Sequence, residues 1–188
     1  MQFKKIEKIN EGKYITRYDI LYETVDHKDK VYEMISRNPN LKTREELTEH
    51  PADAVVLILH NRKGDKILLN REFRMACGGF VFNFPAGLIE QGERFEEGAR
   101  RELKEETGLD LVEIQDVIGE SFSAVGFSNE KNVCVVGVAE GEFAPSDSTA
   151  EEIEAAWYSR EEVRNLMKKE YFAARTQAYC YLWSKESF

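Results

Sequence analysis

Apolar and polar residues alternate with a period of two over much of this chain, which is the pattern of half-buried β-strands. Residues 54–61 form a short continuous apolar run that predicts a buried strand. A polar turn at 62–65 separates that run from the next apolar segment, so the two segments predict a hairpin. In all, strands are predicted over residues 13–24, 31–37, 54–61, 66–73, 112–124 and 132–141.

Three phenylalanines occupy every second position after this hairpin. A strand would therefore direct the rings of Phe80, Phe82 and Phe84 to one face of a sheet. We predict that this face belongs to the core, and ligand stacking is the alternative for such a row of rings.

Helical patterns occupy three other stretches. The run after Gly92 is rich in helix formers and stops at Gly108, which has the place of a helix C-terminal glycine. Ser159 followed by Glu162 matches a capping box, and it predicts a helix that begins there. Residues 43–50 predict a short helix or a linker, and the two C-terminal helices are predicted over 159–169 and 173–184. This order of elements predicts an α/β fold, with a mixed sheet sandwiched between helices.

The helix that ends at Gly108 carries the strongest chemical signal. Glu102, Glu105 and Glu106 stand at i, i+3 and i+4, so their carboxylates share one helix face. Neighbouring carboxylates at this spacing repel by roughly 3 kcal/mol per pair at an effective dielectric of 20. Mg²⁺ prefers carboxylate oxygens and would relieve that repulsion. A solvated helix with ion pairs is the alternative, but it leaves the spacing of the glutamates and glycines unexplained.

Composition excludes several classes of protein. The 188 residues are 42% hydrophobic and 32% charged, which describes a globular domain with room for a small appended lobe. No apolar run approaches the ~20 residues of a membrane span, and the first residues lack the apolar core of a signal peptide, so we expect a cytoplasmic protein without a membrane partner. The net charge of −9 makes nucleic acid an unlikely partner but allows a small phosphorylated ligand, because a bound cation reverses the local field.

Cysteine and histidine give no further chemistry. Cys77, Cys134 and Cys180 are odd in number and widely spaced, so neither a disulfide framework nor a zinc site is indicated. Cys134 lies in an apolar run and is predicted to be a small buried side chain. The three histidines show no spacing that suggests a triad or a metal site.

The stretch from Gly87 to Leu109 follows the pattern G-x5-E-x7-R-E-U-x-E-E-x-G-U, in which U is aliphatic. It resembles the signature of the Nudix hydrolases at every defined position. The resemblance implies a Nudix α/β/α sandwich around a mixed sheet over residues 49–188. It also implies a small N-terminal β lobe over residues 1–48 through which two copies form a homodimer. The segment PAGLIE at 85–90 and the segment REFR at 71–74 are most similar to the ADP-ribose pyrophosphatase branch.

The resemblance also assigns roles to individual residues. The metal ions would be Mg²⁺, for which Mn²⁺ can substitute. Arg101 matches the arginine that holds the carboxylates in place, and Glu130 lies where the branch carries a loop glutamate that acts as general base. An exposed glutamate without a catalytic role is the alternative for Glu130. The metal-ligating groups implied are the side chains of Glu102, Glu105 and Glu106 and the carbonyl of Ala86. Glu93 matches a carboxylate that is either structural or a more distant metal ligand. Glu105 and Glu106 count as catalytic together with Arg101 and Glu130.

Substrate contacts are less well defined by the sequence. Arg74 suits a substrate phosphate, with a surface ion pair as the alternative, and Phe73 is one of several aromatic residues that would stack on a base. The other aromatic candidates are Tyr14, Tyr18 and Tyr22. The chain departs from the branch at Asn83, where a glutamate is usual, and at residues 124–126, where Ser-Pro-Gly is usual. These departures leave the exact substrate open.

We therefore predict hydrolysis of a nucleoside diphosphate linked to another moiety, with ADP-ribose as the leading candidate and AMP and ribose 5-phosphate as products. Another nucleotide sugar, such as UDP-glucose or GDP-mannose, or a dinucleoside polyphosphate is the alternative within the same chemistry. A non-catalytic nucleotide-binding regulator is the alternative of a different class. RNA-end processing is disfavoured by the acidic charge.

Overall fold

The structure, a computed structural model, describes residues 1–146 and 152–185. Ten strands and three α-helices are defined within these ranges. The strands are β1 (Gln2–Glu11), β2 (Thr16–Glu23), β3 (Asp29–Ser36), β4 (Ala54–His60), β5 (Lys66–Arg74), β6 (Gly79–Asn83), β7 (Ala86–Leu88), β8 (Asp110–Phe122), β9 (Lys131–Glu140) and β10 (Ile153–Ser159). The helices are α1 (Phe95–Thr107), α2 (Arg160–Leu166) and α3 (Ala174–Lys185), and a short 3-10 helix covers Glu45–Leu47.

The chain divides into two compact units. The first contains residues 1–53 and 120–132, and the second contains residues 54–119 and 133–188 as far as they are described. In the first unit β1, β2 and β3 form an antiparallel sheet in that order. Its small core contains Tyr18, whose hydroxyl donates to the carbonyl of Asn38 at 2.8 Å and accepts from the backbone of Leu41 at 3.2 Å.

The second unit is built on a mixed sheet with the strand order β10-β5-β4-β9-β8, to which β6 pairs beside β5 and β7 beside β4. Helix α1 packs against β4, β7 and β10. On the opposite face, Ile67 and Leu69 of β5 join a core that also contains Val163 of α2 and Cys180 of α3. Helices therefore cover both faces of the sheet, which confirms the predicted α/β/α sandwich.

Most predicted elements are found, with changes at their ends and three omissions. Strands β1, β7 and β10 were not predicted, and β6 was anticipated only through the alternation of the phenylalanines. The segment predicted over 13–24 is a strand only from Thr16 to Glu23. The helix predicted over 159–169 ends at Leu166, but its predicted capping box is present, because the side chain of Ser159 accepts from the backbone of Glu162 and the Glu162 carboxylate accepts in return.

The alternating phenylalanines are mainly core residues. Phe82 and Phe84 are buried, as predicted. Phe80 is only half-buried. Its ring packs edge-on against Phe73 and lies under the guanidinium of Arg71. Cys134 is also buried, as predicted. Among the described residues, no helix combines the length and the apolarity that crossing a bilayer demands.

Candidate active site

Helix α1 presents the predicted carboxylates because its ends and its buried side are fixed. At its start the Glu97 carboxylate accepts from the backbone of Arg94 at 3.0 Å. At its end Gly108 has φ 78°, and its N–H donates to the carbonyl of Lys104 at 2.9 Å. Ala99 and Leu103 are fully buried and anchor the helix to the sheet. The glutamates that border this buried stripe therefore have defined positions.

Arg101 lies at the centre of these carboxylates. Its guanidinium donates to both oxygens of Glu93, each at 2.9 Å, and to Glu102 at 2.7 Å. It also contacts Glu105 at 3.3 Å and the carbonyl of Leu88 at 2.9 Å. One cation thus offsets much of the repulsion among three carboxylates, and the guanidinium ties the helix to the chain that precedes it.

Glu93 is held in its charged form. The two hydrogen bonds from Arg101, and then the bond from the backbone N–H of Glu90, lower the pKa of Glu93 to about 2. The same pairing raises the pKa of Arg101 above its ordinary value. The Glu93–Arg101 pair therefore stays ionised throughout the neutral pH range, and both charges are available to order the site.

The carboxylate of Glu102 lies directly against the backbone of β7. A Cβ placed on Gly87 would overlap the carboxyl carbon and both oxygens of Glu102. Any larger residue at position 87 would therefore displace the Glu102 carboxylate from this position, which gives a reason for the first glycine of the sequence pattern. The contact also brings Glu102 next to Ala86, the residue whose carbonyl is the predicted backbone ligand.

Glu106 is the most deeply placed of the three predicted helical ligands. Its side of α1 faces β5, where the Nδ2 group of Asn70 donates to the Glu106 carboxylate at 2.8 Å. Asn70 is fully buried and Glu106 is 8% exposed. Asn70 was not among the predicted site residues. The available signal was its position, because it is a polar side chain at the end of the apolar run ILL and has the same strand parity as Glu72 and Arg74.

The two predicted substrate residues on β5 lie on opposite faces of the sheet. Arg74 shares the face of Asn70 and forms an ion pair at 2.7 Å with the buried Glu72. Phe73 faces the other way and packs against Phe80. The strand therefore directs Arg74 and Phe73 to opposite faces of the sheet, and their contacts with a substrate stay a prediction.

Glu130 belongs to the first unit, whereas the glutamates of α1 belong to the second. Within the first unit, Glu130 has two polar partners. Its carboxylate pairs with the Nε group of Arg37 at 2.5 Å. Its backbone N–H donates to the Ser128 hydroxyl at 3.1 Å. Glu130 is therefore an oriented and ionisable loop residue, and its catalytic role stays a prediction.

The residues on and around α1 fit a hard divalent cation. Across residues 1–146 and 152–185, no three His, Cys, Asp or Glu side chains form a ready metal-binding cluster. Arg101 pairs with three of the carboxylates, those of Glu93, Glu102 and Glu105. The available donors are all oxygens, from glutamate side chains and from the adjacent backbone, and this chemistry suits Mg²⁺ or Mn²⁺ rather than softer ions. The buried Oδ1 atom of Asn70 has no hydrogen-bond partner among the described residues, which is the environment of an acceptor beside a hydrated ion.

Comparison with known proteins gives consistent matches. A model of the NUDIX domain matches residues 50–180. The ADP-ribose pyrophosphatase of Saccharomyces cerevisiae is 30% identical over 145 residues, which are 73% of this chain and 58% of that protein. The ADP-sugar pyrophosphatase of Mus musculus is 31% identical over 102 residues, which are 54% of this chain and 45% of that protein. The chain thus spans about half the length of these curated relatives.

A solved structure described as an ADP compounds hydrolase has a similar fold. It superposes with a TM-score of 0.72 and covers 97% of this chain and 92% of its own chain, at 20% sequence identity. At this identity the likeness concerns the fold, and it extends over almost the whole of both chains.

Proposed function

Because the chain belongs to the Nudix family, we propose that it is a Mg²⁺-dependent hydrolase that cleaves the pyrophosphate bond of a nucleoside diphosphate linked to another moiety. ADP-ribose is the leading substrate, with water added to give AMP and ribose 5-phosphate. One observation carries the proposal. The glutamates of α1 are held in place by protein groups, since Arg101 pairs with Glu102 and the amide of Asn70 donates to Glu106. The names of the yeast and mouse relatives support the substrate class.

In this reaction the chain's own residues would hold the cation, position the carboxylates, contact a substrate phosphate and remove a proton from water. Glu102, Glu105 and Glu106 would hold the cation, together with the carbonyl of Ala86. When bound, Mg²⁺ neutralises pyrophosphate oxygens and lowers the pKa of a coordinated water. Arg101 and Glu93 keep the helical carboxylates in one arrangement, so that little reorganisation is needed when substrate arrives. Arg74, about half exposed beside Glu72, would donate to a substrate phosphate.

Glu130 would accept the proton of the attacking water. The oxygen of that water bonds to phosphorus, the bond to the bridging oxygen breaks, and the second phosphate leaves. Arg37 supports this role, because its 2.5 Å contact orients the carboxylate.

We expect Glu130→Gln to lower kcat by about 10²-fold, since the amide keeps the shape but cannot take the proton. The measurement is kcat and KM at saturating Mg²⁺, with thermal unfolding as a check on the fold. Glu49→Gln removes a carboxylate from an exposed residue of the same unit and serves as the control. A Glu130→Gln enzyme as fast as the control would show that another group removes the proton.

The substrate is tested with a panel of ADP-ribose, UDP-glucose, GDP-mannose, diadenosine polyphosphates and nucleoside triphosphates. Turnover is followed as inorganic phosphate after a phosphatase is added, with and without EDTA. We expect the highest kcat/KM with ADP-ribose and no turnover once the cation is removed. Preference for another diphosphate would keep the chemistry and change the substrate. Binding of nucleotides without any turnover would support a regulator and overturn the proposal.

The proposal extends to a homodimer formed through the first unit. Several of its large apolar side chains are exposed, and part of this apolar surface is available to a second copy. They are Ile9, Tyr14, Ile15, Val25, Val31 and Tyr32. A sedimentation mass of one chain at micromolar concentration would contradict the dimer. Cytoplasmic residence stays a prediction of the sequence.

A further inference from the structure

Asn70 stands out among the residues near α1 because it is a buried amide with only half of its hydrogen-bonding capacity used. It is fully buried on β5, a strand with neighbours on both sides. Its Nδ2 group donates to the Glu106 carboxylate at 2.8 Å, whereas its Oδ1 atom has no partner among the described residues. Leaving a buried acceptor without a donor costs free energy, so such atoms in native proteins usually serve a function or contact a bound group.

Neighbouring strands do not account for this amide. The residues opposite Asn70 are Ala155 on β10, which has no polar side chain, and Asn83 on β6. The Oδ1 atom of Asn83 accepts from the Thr176 hydroxyl of α3 at 2.8 Å, so that amide is tied to a different helix. Asn70 is directed to α1 instead, and a leucine would fit the preceding run ILL better if the position served packing alone.

The orientation of the amide sets the direction of the Glu106 carboxylate. A carboxylate has two oxygens, and the bond from Nδ2 is made to Oε2. Because both side chains are buried, the bond is not exchanged readily with water, and the rotation of the carboxylate is restricted. Removing a hydrogen-bond partner that fixes a metal-ligating side chain in this way typically lowers metal affinity or activity by about 10- to 100-fold.

We infer that Asn70 is a positioning residue of the site. It holds Glu106 through Nδ2 and offers Oδ1 as an acceptor to a water of the cation's hydration shell. This inference rests on the proposed function, since it concerns the cation that the proposed chemistry uses. It adds a residue on β5 to the machinery of α1, and it acts through Glu106 rather than on the substrate.

The test uses the full chain and Mn²⁺ alone, with free Mn²⁺ counted by electron paramagnetic resonance. Asn70→Leu keeps the volume and removes both polar groups, and Asn70→Ala is a smaller variant in case leucine disturbs folding. We expect either substitution to weaken Mn²⁺ binding by about 10-fold or more and to lower kcat by a similar factor, with KM little changed. Near-ultraviolet circular dichroism checks that the variants are folded. Unchanged Mn²⁺ affinity in the folded variants would overturn the inference.

A double-mutant cycle separates positioning from a general structural effect. If Asn70 acts mainly through Glu106, Asn70→Leu weakens Mn²⁺ binding much less in the Glu106→Gln background than in the parent protein. Losses that multiply would mean that Asn70 acts independently of Glu106, and the inference would fail. Both readouts are independent of the substrate. An enzyme inactive on every compound of the panel would therefore refute the proposed function while the Mn²⁺ data still decide the role of Asn70.

Discussion

Glu106→Gln is expected to lower kcat/KM for the preferred nucleoside diphosphate by on the order of 10³-fold, a magnitude typical of removing one well-placed electrostatic group from an active site. The substitution removes a negative charge from the cation site but preserves the size of the side chain. Asn70 can still donate to the remaining amide oxygen, so the structural bond at 2.8 Å is kept. The free energy of unfolding should therefore change by less than about 1 kcal/mol, since a buried charge is lost without opening a cavity.

The measurement combines steady-state kinetics over a range of Mg²⁺ concentrations with urea unfolding. Part of the lost activity should return at high Mg²⁺, because weaker cation binding is one component of the defect. Glu161→Gln makes the same chemical change at an exposed position of α2 and should leave kinetics and stability unaltered. If Glu106→Gln retained turnover within about threefold of the control, the assignment of the helical carboxylates to the cation would be wrong.

Gly87→Ala is expected to have an effect of similar size for a different reason. The added methyl group would occupy the place of the Glu102 carboxylate, which must then leave its position beside β7 and its 2.7 Å contact with Arg101. Turnover should fall by on the order of 10³-fold, because Glu102 would no longer be held where the cation binds. Displacing a partly buried charged group from its ion pair should also cost about 1–3 kcal/mol of stability.

Gly119→Ala is the matched control, since a Cβ at position 119 of β8 has open space around it. This variant should be as active and as stable as the parent protein. Thermal unfolding and kcat at saturating Mg²⁺ are measured for both alanine variants. An active Gly87→Ala enzyme would mean that Glu102 works from another position, and the spatial explanation of this glycine would be refuted.

The sequence is sufficient to predict the helix of the site because its signals are local. The spacing of Glu102, Glu105 and Glu106, the buried stripe with Ala99 and Leu103, and the terminal Gly108 all lie within a few turns of one another. One of the strands that were missed depends on a distant partner. Strand β10 has no clear alternation, and it is ordered by its seven-residue pairing with β5, more than 80 positions earlier in the chain.

The sequence alone could not identify the residues of the site whose role depends on a contact with a residue far along the chain. The pattern contains Gly87, but only the structure shows that Glu102 fills the space of its missing side chain. Asn70 lies 36 positions from Glu106, and nothing local indicates that the two meet. The opposite orientations of Phe73 and Arg74 follow from strand parity, so in this case the sequence held information that the prediction did not use.

The position of Arg101 affects how the chain folds before a metal ion is bound. Many metal sites are disordered until the ion binds, so folding of the newly made chain waits for the metal. Here the guanidinium of Arg101, which is part of the chain, already pairs with Glu93, Glu102 and Glu105. These carboxylates therefore do not depend on the proposed cation for a positive partner, and we expect the chain to fold before the cation binds and to stay folded when it is removed.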